Sequence, residues 1–273
     1  MHEILPLDAL PERDRKVYHQ LRHSRGVERH GCFLAESDKV VERLLRSPLT
    51  LRSMLADDVW LDRLMPLLQS RESSFPVYRA SAEEIGSILG FSVRQAVRAI
   101  AEVPDSPVLA SFFPSTGSRR FLVALDGLSN AENVGVMVRN ASALGADAIL
   151  VGPTSSSPYL SRAVRVSMGA VFQIPILEVR DLPLALRQLA EAGVISMAAA
   201  LRPHATALHE ADFLRDICLV FGSEGTGIRP SVLEACQETV MLPMARGVDS
   251  LNVGTAGAAM LYEVRRQRGD WPR

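Results

Sequence analysis

The feature that most constrains the fold is a set of short runs, all after residue 120, that are apolar throughout and are separated by helix-length segments. Strands of this kind are covered on both faces, which is typical of a parallel sheet between two layers of helices. The runs are Phe121–Leu125, Ala148–Val151, Val194–Ala199, Ile217–Phe221 and Thr239–Leu242. Because ligands of such sheets bind beyond the carboxyl ends of the strands, we expect function in the loops that follow these runs.

A seam rich in proline and serine, Pro104–Arg120, divides the chain. The part before the seam shows a second, smaller alternation of predicted strands and helices. The predicted strands are Cys32–Ala35, Leu51–Ala56 and Phe75–Tyr78, and the predicted helices are Asp38–Leu45, Val59–Leu68 and one that opens with the capping box Ser81–Glu84. We therefore predict a small α/β domain over 1–104, a linker over 105–119 and a parallel-sheet domain over 120–273.

Charge and composition exclude several broad classes of protein. Among 273 residues, 30 basic and 31 acidic side chains give a formal net charge of −1, so any surface for nucleic acid must be local. Cys32, Cys218 and Cys236 lack C-x-x-C spacing, which predicts buried thiols rather than a disulfide framework or a zinc site. No run approaches the roughly 20 apolar residues of a membrane span. We predict a cytoplasmic protein without a metal.

The first candidate loop follows the strand that ends at Leu125 and leads into a helix that Asn133 could cap. One apolar stripe of that helix comprises Val134, Met137, Val138, Ala141 and Leu144. Arg139 lies off the stripe. Because helical side chains lean toward the N-terminus, we expect it over Gly135, aimed at the crevice beyond the strand. The alternative is an ordinary arginine that faces solvent.

The second candidate loop, Gly222–Pro230, follows the run that ends at Phe221. Its three glycines allow positive φ and close approach of the backbone to a ligand. The spacing G-x-x-G-x-G is not that of a dinucleotide fingerprint, and no phosphate-loop lysine follows. Glu224 is either an acceptor for a ligand's donors or a solvated turn residue. Pro230 suits the first turn of the next helix.

The third candidate loop runs from Leu242 to Gly254 and enters a predicted helix over Thr255–Arg266. Asp249 or Ser250 could cap that helix. Small residues fill its beginning, namely Gly254, Ala256, Gly257, Ala258 and Ala259. Each glycine costs a helix about 1 kcal/mol relative to alanine, a cost that close packing usually offsets. We expect such packing either against another helix or beneath a bound cofactor.

Three motifs lie in these loops: N-x-G-x-x-x-R at Asn133–Arg139, F-G-S-E-G-x-G at Phe221–Gly227 and S-L-N-V at Ser250–Val253. Together and in this order they resemble the signature motifs of the SpoU (TrmH-like) RNA 2′-O-ribose methyltransferases of the SPOUT superfamily, over roughly residues 120–266. The resemblance implies an α/β domain with a parallel sheet and a trefoil knot. It further implies S-adenosylmethionine as cofactor and a homodimer through the C-terminal domain.

The resemblance also assigns site residues. Arg139, with Asn133, would lie at the reacting ribose, and the catalytic pocket would be completed by Glu224, Ser250 and Asn252. The positions assigned to the cofactor are Gly222, Leu242, Met244 and Leu251. Two roles for Arg139 stay open. It could act as a general base, for which an arginine is unsuited unless its surroundings perturb it, or it could clamp a substrate phosphate and align the ribose.

The N-terminal part resembles, more loosely, the substrate-binding domain that often precedes this catalytic domain. The segments Ser24–Glu36 and Lys39–Glu42 carry that resemblance, and Ser37 stands where the family commonly has glycine. RNA contact is expected over Arg13–Arg29, where basic residues and histidines outnumber acidic ones. The alternative is a solvated helix face. For the homodimer, the small residues Gly254–Ala259 with Met260 and Leu261 are compatible with packing against a second copy.

The function implied is S-adenosylmethionine-dependent 2′-O-methylation of a ribose in structured RNA, with ribosomal RNA favoured over transfer RNA. One alternative is a non-catalytic RNA- or ribosome-binding module that kept the fold. Another is an antibiotic-resistance rRNA methyltransferase of the same family. A nucleotide-dependent oxidoreductase is disfavoured because the glycines of Gly222–Gly227 have the wrong spacing.

Overall fold

The computed structural model describes residues 3–21, 24–115, 119–245, 247 and 250–269. The chain forms two compact units. The first comprises residues 1–105 and 157–173, and the second comprises residues 106–156 and 174–273. Each unit has its own sheet.

The sheet of the first unit is mixed and has five strands. The strands are β1 (Ile4–Pro6), β2 (Cys32–Glu36), β3 (Leu51–Ala56), β4 (Val77–Arg79) and β5 (Val97–Glu102), in the order β1-β4-β3-β5-β2. Strands β1, β4 and β3 run parallel, whereas β5 runs antiparallel to both of its neighbours. The helices are α1 (Glu12–Gln20), α2 (Ser24–His30), α3 (Asp38–Arg46), α4 (Asp58–Ser70) and α5 (Ala82–Leu89).

Local signals explain most of these boundaries. The predicted capping box at Ser81 is confirmed, since its hydroxyl accepts from Glu84 N and the Glu84 carboxylate accepts from Ser81 N. Strand β4 begins at Val77, two residues later than predicted. The prediction missed β5, because Arg98 interrupts its apolar run. The Arg98 side chain is buried, and its guanidinium donates to the carbonyl oxygens of Gln95 and Val97 at 2.9 and 2.6 Å.

The segment 157–173, which lies between two strands of the second unit in the chain, belongs to the first unit in space. It contains helix α7 (Ser161–Val166) and a short 3₁₀ turn over Ala170–Phe172. The ring of Phe33 on β2 lies 5.5 Å from the rings of both Tyr159 and Phe172. Our predicted division assigns this segment to the domain over 120–273, whereas these aromatic contacts hold it against β2.

The sheet of the second unit is parallel throughout and has seven strands. They are β6 (Phe121–Asp126), β7 (Ala148–Val151), β8 (Ile176–Glu178), β9 (Ile195–Ala199), β10 (Thr206–Ala207), β11 (Ile217–Gly222) and β12 (Glu238–Met241), in the order β10-β12-β9-β11-β6-β7-β8. The helices are α6 (Ala131–Ala143), α8 (Leu182–Glu191), α9 (Pro230–Leu233) and α10 (Val253–Arg268). The predicted parallel sheet is confirmed, while β8 and β10 were too short to stand out in the sequence.

Two predicted helix caps are wrong. Helix α6 is capped by Asn130, whose side-chain oxygen accepts from Glu132 N at 2.8 Å, so Asn133 lies inside the helix. Helix α10 is capped by Asn252, whose oxygen accepts from the backbone N–H groups of the two residues after Val253, at 2.9 and 3.3 Å. Ser250 precedes the cap, and Asp249 lies outside the described residues. In both helices an asparagine close to the predicted cap satisfies free N–H groups of the first turn instead.

The small residues of α10 pack against helix α6 of the same chain. A Cβ on Gly257 would lie 2.5 Å from the Met137 sulfur, and one on Gly254 would collide with Val136. Asn140 on α6 donates to the Gly254 carbonyl oxygen at 2.8 Å. The small residues therefore allow two helices to touch, the first of the two reasons considered from the sequence.

Candidate active site

A cavity of about 320 Å³ opens at the carboxyl edge of the parallel sheet, where the loops after β9, β11 and β12 meet the start of α10. We call it the apolar cavity. Its lining includes Ala199, Leu201, Arg202, Phe221, Gly222, Ser223, Glu224, Ile228, Leu242, Met244, Ser250, Leu251, Ala256 and Met260. All four positions assigned to the cofactor lie in this lining, together with the predicted catalytic residues Glu224 and Ser250.

Asn252 joins the three sequence motifs at one point. Its amide nitrogen donates to the Asn133 side-chain oxygen at 3.1 Å and to a Glu224 carboxylate oxygen. The same carboxylate oxygen accepts from Val253 N at 3.3 Å, while the Asn252 oxygen caps α10. Asn252 therefore fixes the start of α10, the loop Gly222–Pro230 (the glycine loop) and the beginning of α6 relative to one another.

The glycine loop is a tight turn closed on itself. Backbone hydrogen bonds join Ser223 and Gly227 in both directions, at 3.1 and 2.9 Å, and the Ser223 and Thr226 hydroxyls lie 2.8 Å apart. Gly227 has φ +68°. Gly222 needs its small size, because a Cβ there would collide with the backbone of Gly227 and Ile228. These glycines serve the shape of the turn that presents Glu224.

A second cavity, of about 340 Å³, lies on the other side of this turn. We call it the polar cavity, since it is lined by Gly127, Leu128, Ser129, Asn130, Asn133, Ser223, Glu224, Gly225, Thr226 and Val253. Four of these residues, Ser223, Glu224, Thr226 and Val253, also line the apolar cavity. The turn and Glu224 therefore form a shared wall between the apolar and the polar cavity. This arrangement suits two ligands, one in each cavity, that come into contact at the wall.

An ion pair between a buried aspartate and a partly exposed arginine, which the sequence did not reveal, anchors the far end of the glycine loop. Asp126, fully buried at the end of β6, accepts from Arg229 N at 2.8 Å and from Arg229 Nε at 2.7 Å. The sequence features that could have indicated this pair are an aspartate at the end of an apolar strand and an arginine just before Pro230. The two residues are 103 positions apart, so no local pattern links them.

Comparison with known proteins decides the family of this fold and site. The family model described as "SpoU rRNA Methylase family" matches residues 120–262. The chain belongs to the SpoU rRNA methylase family. The predicted family, and with it the prediction of an enzyme of the methyltransferase class, is confirmed, and the oxidoreductase alternative is excluded.

Relatives within and around the SpoU family cover most of the chain. An uncharacterized tRNA/rRNA methyltransferase of Mycobacterium tuberculosis is 35% identical over 238 residues, which are 85% of this chain and 80% of that protein. The 23S rRNA (guanosine-2′-O-)-methyltransferase RlmB of Yersinia pestis is 33% identical over 76% of this chain and 85% of that protein. The crystal structure of an AdoMet-bound rRNA methyltransferase from Sinorhizobium meliloti aligns with a TM-score of 0.82 at 25% identity, covering 97% of this chain and 98% of that one.

Arg139, the arginine of the first SpoU motif, stands apart from both cavities. It lies on the exposed side of α6, while Gly135 one turn earlier is buried. Within the part of the chain that the structure describes, its guanidinium forms no hydrogen bond or ion pair and lines neither cavity. Its direction over Gly135 and its two alternative roles therefore stay predictions.

The sequence did not identify Arg202 as a residue of the site. It follows the carboxyl end of β9 and is exposed. Among the described residues, Arg202 and Glu224 are the only charged side chains that line the apolar cavity. Glu224 already accepts hydrogen bonds from Asn252 and Val253, whereas the Arg202 side chain forms no hydrogen bond or ion pair with another described residue. An arginine in the loop after an apolar strand was the signal that could have identified it.

Metal-ligating groups and reactive thiols were considered among the described residues. No group of three His, Cys, Asp or Glu residues among them is arranged to hold a metal ion. Burial raises the pKa of the Cys218 thiol above its ordinary range and that of Cys236 to about 12, which keeps both protonated. No helix within the described ranges has the length and hydropathy to cross a membrane.

Proposed function

We propose that the protein transfers a methyl group from S-adenosylmethionine to a ribose 2′-hydroxyl of RNA. The observation that carries this proposal is the hydrogen-bonding of Asn252 to both Asn133 and Glu224 at the wall between two cavities. In a methyl transfer the attacking oxygen must lie in line with the bond between the methyl group and the sulfur. Two adjoining cavities can hold the two reactants in that relation, one on each side of the wall. The 25% identical rRNA methyltransferase from Sinorhizobium meliloti, whose structure holds AdoMet, supports the choice of cofactor.

The apolar cavity fits the cofactor. Its volume of about 320 Å³ falls within the range of small-molecule sites, and its walls of Phe221, Leu242, Met244 and Leu251 suit the faces of an adenosyl group. Backbone groups at Gly222, Leu242 and Leu251 would hold the adenine and ribose edges. When bound, S-adenosylmethionine supplies a methyl group activated by a positively charged sulfur.

Arg202 would hold the amino-acid end of the cofactor. That end carries a carboxylate, and a guanidinium binds a carboxylate through charge-assisted hydrogen bonds. Because Arg202 is the one basic side chain among the described residues that line the apolar cavity, it is the residue best suited to that contact. Leu201 beside it is 52% exposed and would cover the same end of the ligand.

The polar cavity would receive the RNA nucleotide. Asn133 and Glu224 face it with their positions fixed by Asn252, and Ser129 and Asn130 offer further hydrogen-bonding groups. Arg139, exposed on α6 and without a partner among the described residues, would bind a phosphate of the same nucleotide and so align its 2′-hydroxyl. We favour this clamp over a general base, because a guanidinium binds phosphate through paired, charge-assisted hydrogen bonds.

The RNA proposed is ribosomal, in the cytoplasm. Several relatives at 30% identity or above are named 23S rRNA (guanosine-2′-O-)-methyltransferase RlmB. The first unit would bind RNA through the exposed side chains of Arg13, Lys16 and Arg29. Arg15 is unsuited, because its guanidinium donates to the carbonyl oxygens of Leu7 and Leu10. Of the remaining basic residues in that segment, Arg22 and the side chain of Arg25 lie outside the described part.

We further propose a homodimer through the second unit, with a revised face. The residues Gly254, Gly257, Met260 and Leu261 are buried within the chain and cannot receive a second copy. The accessible side of α10, which carries Thr255 and the 51% exposed Tyr262, is the face proposed instead. Sedimentation at micromolar concentration tests this: a dimer that dissociates in Tyr262→Arg is expected, and a monomeric wild type contradicts it.

Incubation with S-adenosylmethionine labelled in its methyl group tests the proposed function against a binding module that kept the fold. Ribosomal and transfer RNA, each from cells that lack this protein, serve as separate substrates. We expect label in ribosomal RNA. Label in neither RNA, from protein that binds both RNA and cofactor, would favour the binding module, and label in transfer RNA alone would overturn the choice of substrate.

A further inference from the structure

A third cavity, of about 430 Å³, lies in the second unit and contains none of the residues assigned to catalysis or cofactor. We call it the arginine cavity. It is lined by Pro153 after β7, by Arg180, Asp181, Leu182, Pro183 and Arg187 after β8, and by Arg229 and Ser231 after β11. All three groups follow the carboxyl ends of strands, so the arginine cavity lies at the same edge of the sheet as the other two cavities.

The three arginines make this cavity locally basic in a chain whose formal net charge is −1. Arg180 and Arg187 are exposed and form no hydrogen bond or ion pair within the described residues. The one acidic side chain of the lining, Asp181, caps α8 by accepting from Leu184 N at 2.9 Å. Two guanidinium groups are thus left to bind an anion.

Arg229 is the fixed member of the group. Asp126 accepts hydrogen bonds from Arg229 Nε and from its backbone N–H, and these bonds orient the guanidinium. The Asp126 carboxylate is fully buried, so solvent does not reach it. Its Nη2 is buried without a hydrogen-bond partner in the described part of the chain, while 38% of the side chain stays exposed. The exposed part of a guanidinium held in this way favours an acceptor ligand, because little ordering of the side chain is required on binding.

The glycine loop links the arginine cavity to the site. Arg229 follows Glu224 by five residues, so their Cα atoms lie at most about 17 Å apart at roughly 3.4 Å per residue. A few nucleotides of RNA span that distance. Guanidinium groups bind phosphate with paired hydrogen bonds, and the RNA backbone offers one phosphate per nucleotide.

We infer that the arginine cavity binds phosphate groups of the substrate RNA a few nucleotides from the methylated ribose. Arg180 and Arg187 supply the exposed contacts, and Arg229 supplies the contact that Asp126 holds in place. The inference rests on the proposed function for the identity of the polymer. It adds a second point of attachment, which would fix the direction in which the strand crosses the polar cavity.

The test compares two charge-matched variants of the full chain. The first is Arg180→Gln with Arg187→Gln. The control is Arg94→Gln with Arg119→Gln, which removes the same charge from two exposed arginines that do not line this cavity. Arg119 precedes β6 at the opposite edge of the parallel sheet, and Arg94 lies in the first unit. Binding of a 23S rRNA transcript is measured between 50 and 300 mM KCl, and binding of S-adenosylmethionine is measured separately.

The arginine-cavity variant is expected to lower the slope of log affinity against log salt by about 1.4 to 1.8, since each phosphate contact contributes about 0.7 to 0.9. Its affinity at 150 mM KCl should fall at least tenfold, with cofactor binding unchanged, while the control keeps the wild-type slope. Equal slopes in the two variants would overturn the inference, even if inorganic phosphate bound the cavity. A reduced slope in a protein that transfers no methyl group would keep the phosphate site and reject the proposed function.

Discussion

Several polar side chains of the first unit and two arginines of the second are used in different ways. In the first unit they satisfy buried backbone and one another: Arg71 donates to carbonyl oxygens at the end of α3 and beyond, Arg98 to those of Gln95 and Val97, and the Tyr18 and Ser53 hydroxyls meet at 2.9 Å. In the second unit, Arg139 on α6 and Arg202 after β9 are exposed and form no hydrogen bond or ion pair with another described side chain. Polar groups with satisfied hydrogen bonds stabilise a fold, whereas unsatisfied ones beside a cavity indicate a ligand.

Replacing Arg139 should give the largest functional effect and leave the fold intact. We expect Arg139→Ala to lower the rate of methyl transfer to RNA by about 100-fold or more, because misplacement of a reacting group by about 1 Å has that cost. The free energy of unfolding and the affinity for S-adenosylmethionine should stay within error of wild type. Arg119→Ala removes an exposed arginine elsewhere in the unit and serves as control. Methyl transfer at near the wild-type rate would reject both roles considered for Arg139.

Replacing Arg71 should lower the stability of the fold and leave binding of the cofactor unchanged. Its Nη1 donates to the carbonyl oxygens of Leu45 and Ser47, both at 2.8 Å. Arg71→Met should lower the free energy of unfolding by about 2 kcal/mol, since hydrogen bonds to a charged group contribute about 1.5–3 kcal/mol. Chemical denaturation measures this, and cofactor affinity of the folded protein should not change.

The control for Arg71 is Arg46→Met on α3, whose partner Glu42 lies 3.0 Å away in an exposed ion pair. Such a pair contributes about 0.3–0.5 kcal/mol, so this variant should unfold almost as the wild type does. Equal losses in the two variants would remove the contrast drawn between satisfied and open polar groups.

Asn252 both stabilises the fold and positions residues of the site, so its replacement should lower both the stability of the protein and its affinity for the cofactor. Asn252→Ala loses the cap of α10, a cost of about 1 kcal/mol, and frees Asn133 and Glu224 from their shared donor. We expect cofactor affinity to fall about fivefold to tenfold by calorimetry. Asp57→Ala, which removes the cap of α4 in the first unit, should match the stability loss alone. Unchanged cofactor affinity in Asn252→Ala would count against the role given to this residue.

The smallest effect is expected at Arg202, and it should depend on the ligand. Arg202→Met should weaken binding of S-adenosylmethionine by about fivefold, because an exposed charge-assisted contact is worth about 1 kcal/mol. Methylthioadenosine, which lacks the amino-acid end, should bind both proteins equally. A loss that is the same for both ligands would place Arg202 at the adenosyl group or in the structure of the loop, and no loss for either would exclude the contact.

The sequence predicted the parts of this molecule that depend on local pattern. Apolar runs identified five strands of the parallel sheet, and three motifs identified the loops that the structure brings around the apolar and polar cavities. Helix starts were harder, because Asn130 and Asn252 compete with neighbouring polar residues for the same free N–H groups. Arg98 concealed β5, since a charged residue in a strand looks like the end of the strand.

What the sequence could not predict depends on contacts between distant positions. Asp126 and Arg229 are joined only once β6 and β11 are neighbours. The placement of 157–173 against β2 depends on Phe33, which is far away in the chain. The arginine cavity likewise collects residues that follow three different strands. The choice of RNA as methyl acceptor rests on family membership together with this geometry.

The most direct test of the account is the chemical position of the methyl group. Ribosomal RNA labelled by the protein and S-adenosylmethionine is hydrolysed in alkali, which cannot cleave the bond next to a 2′-O-methylated ribose because the attacking hydroxyl is blocked. We predict that the label appears in an alkali-resistant dinucleotide and is lost with Arg139→Ala. Label in mononucleotides would show methylation of a base and would contradict the account.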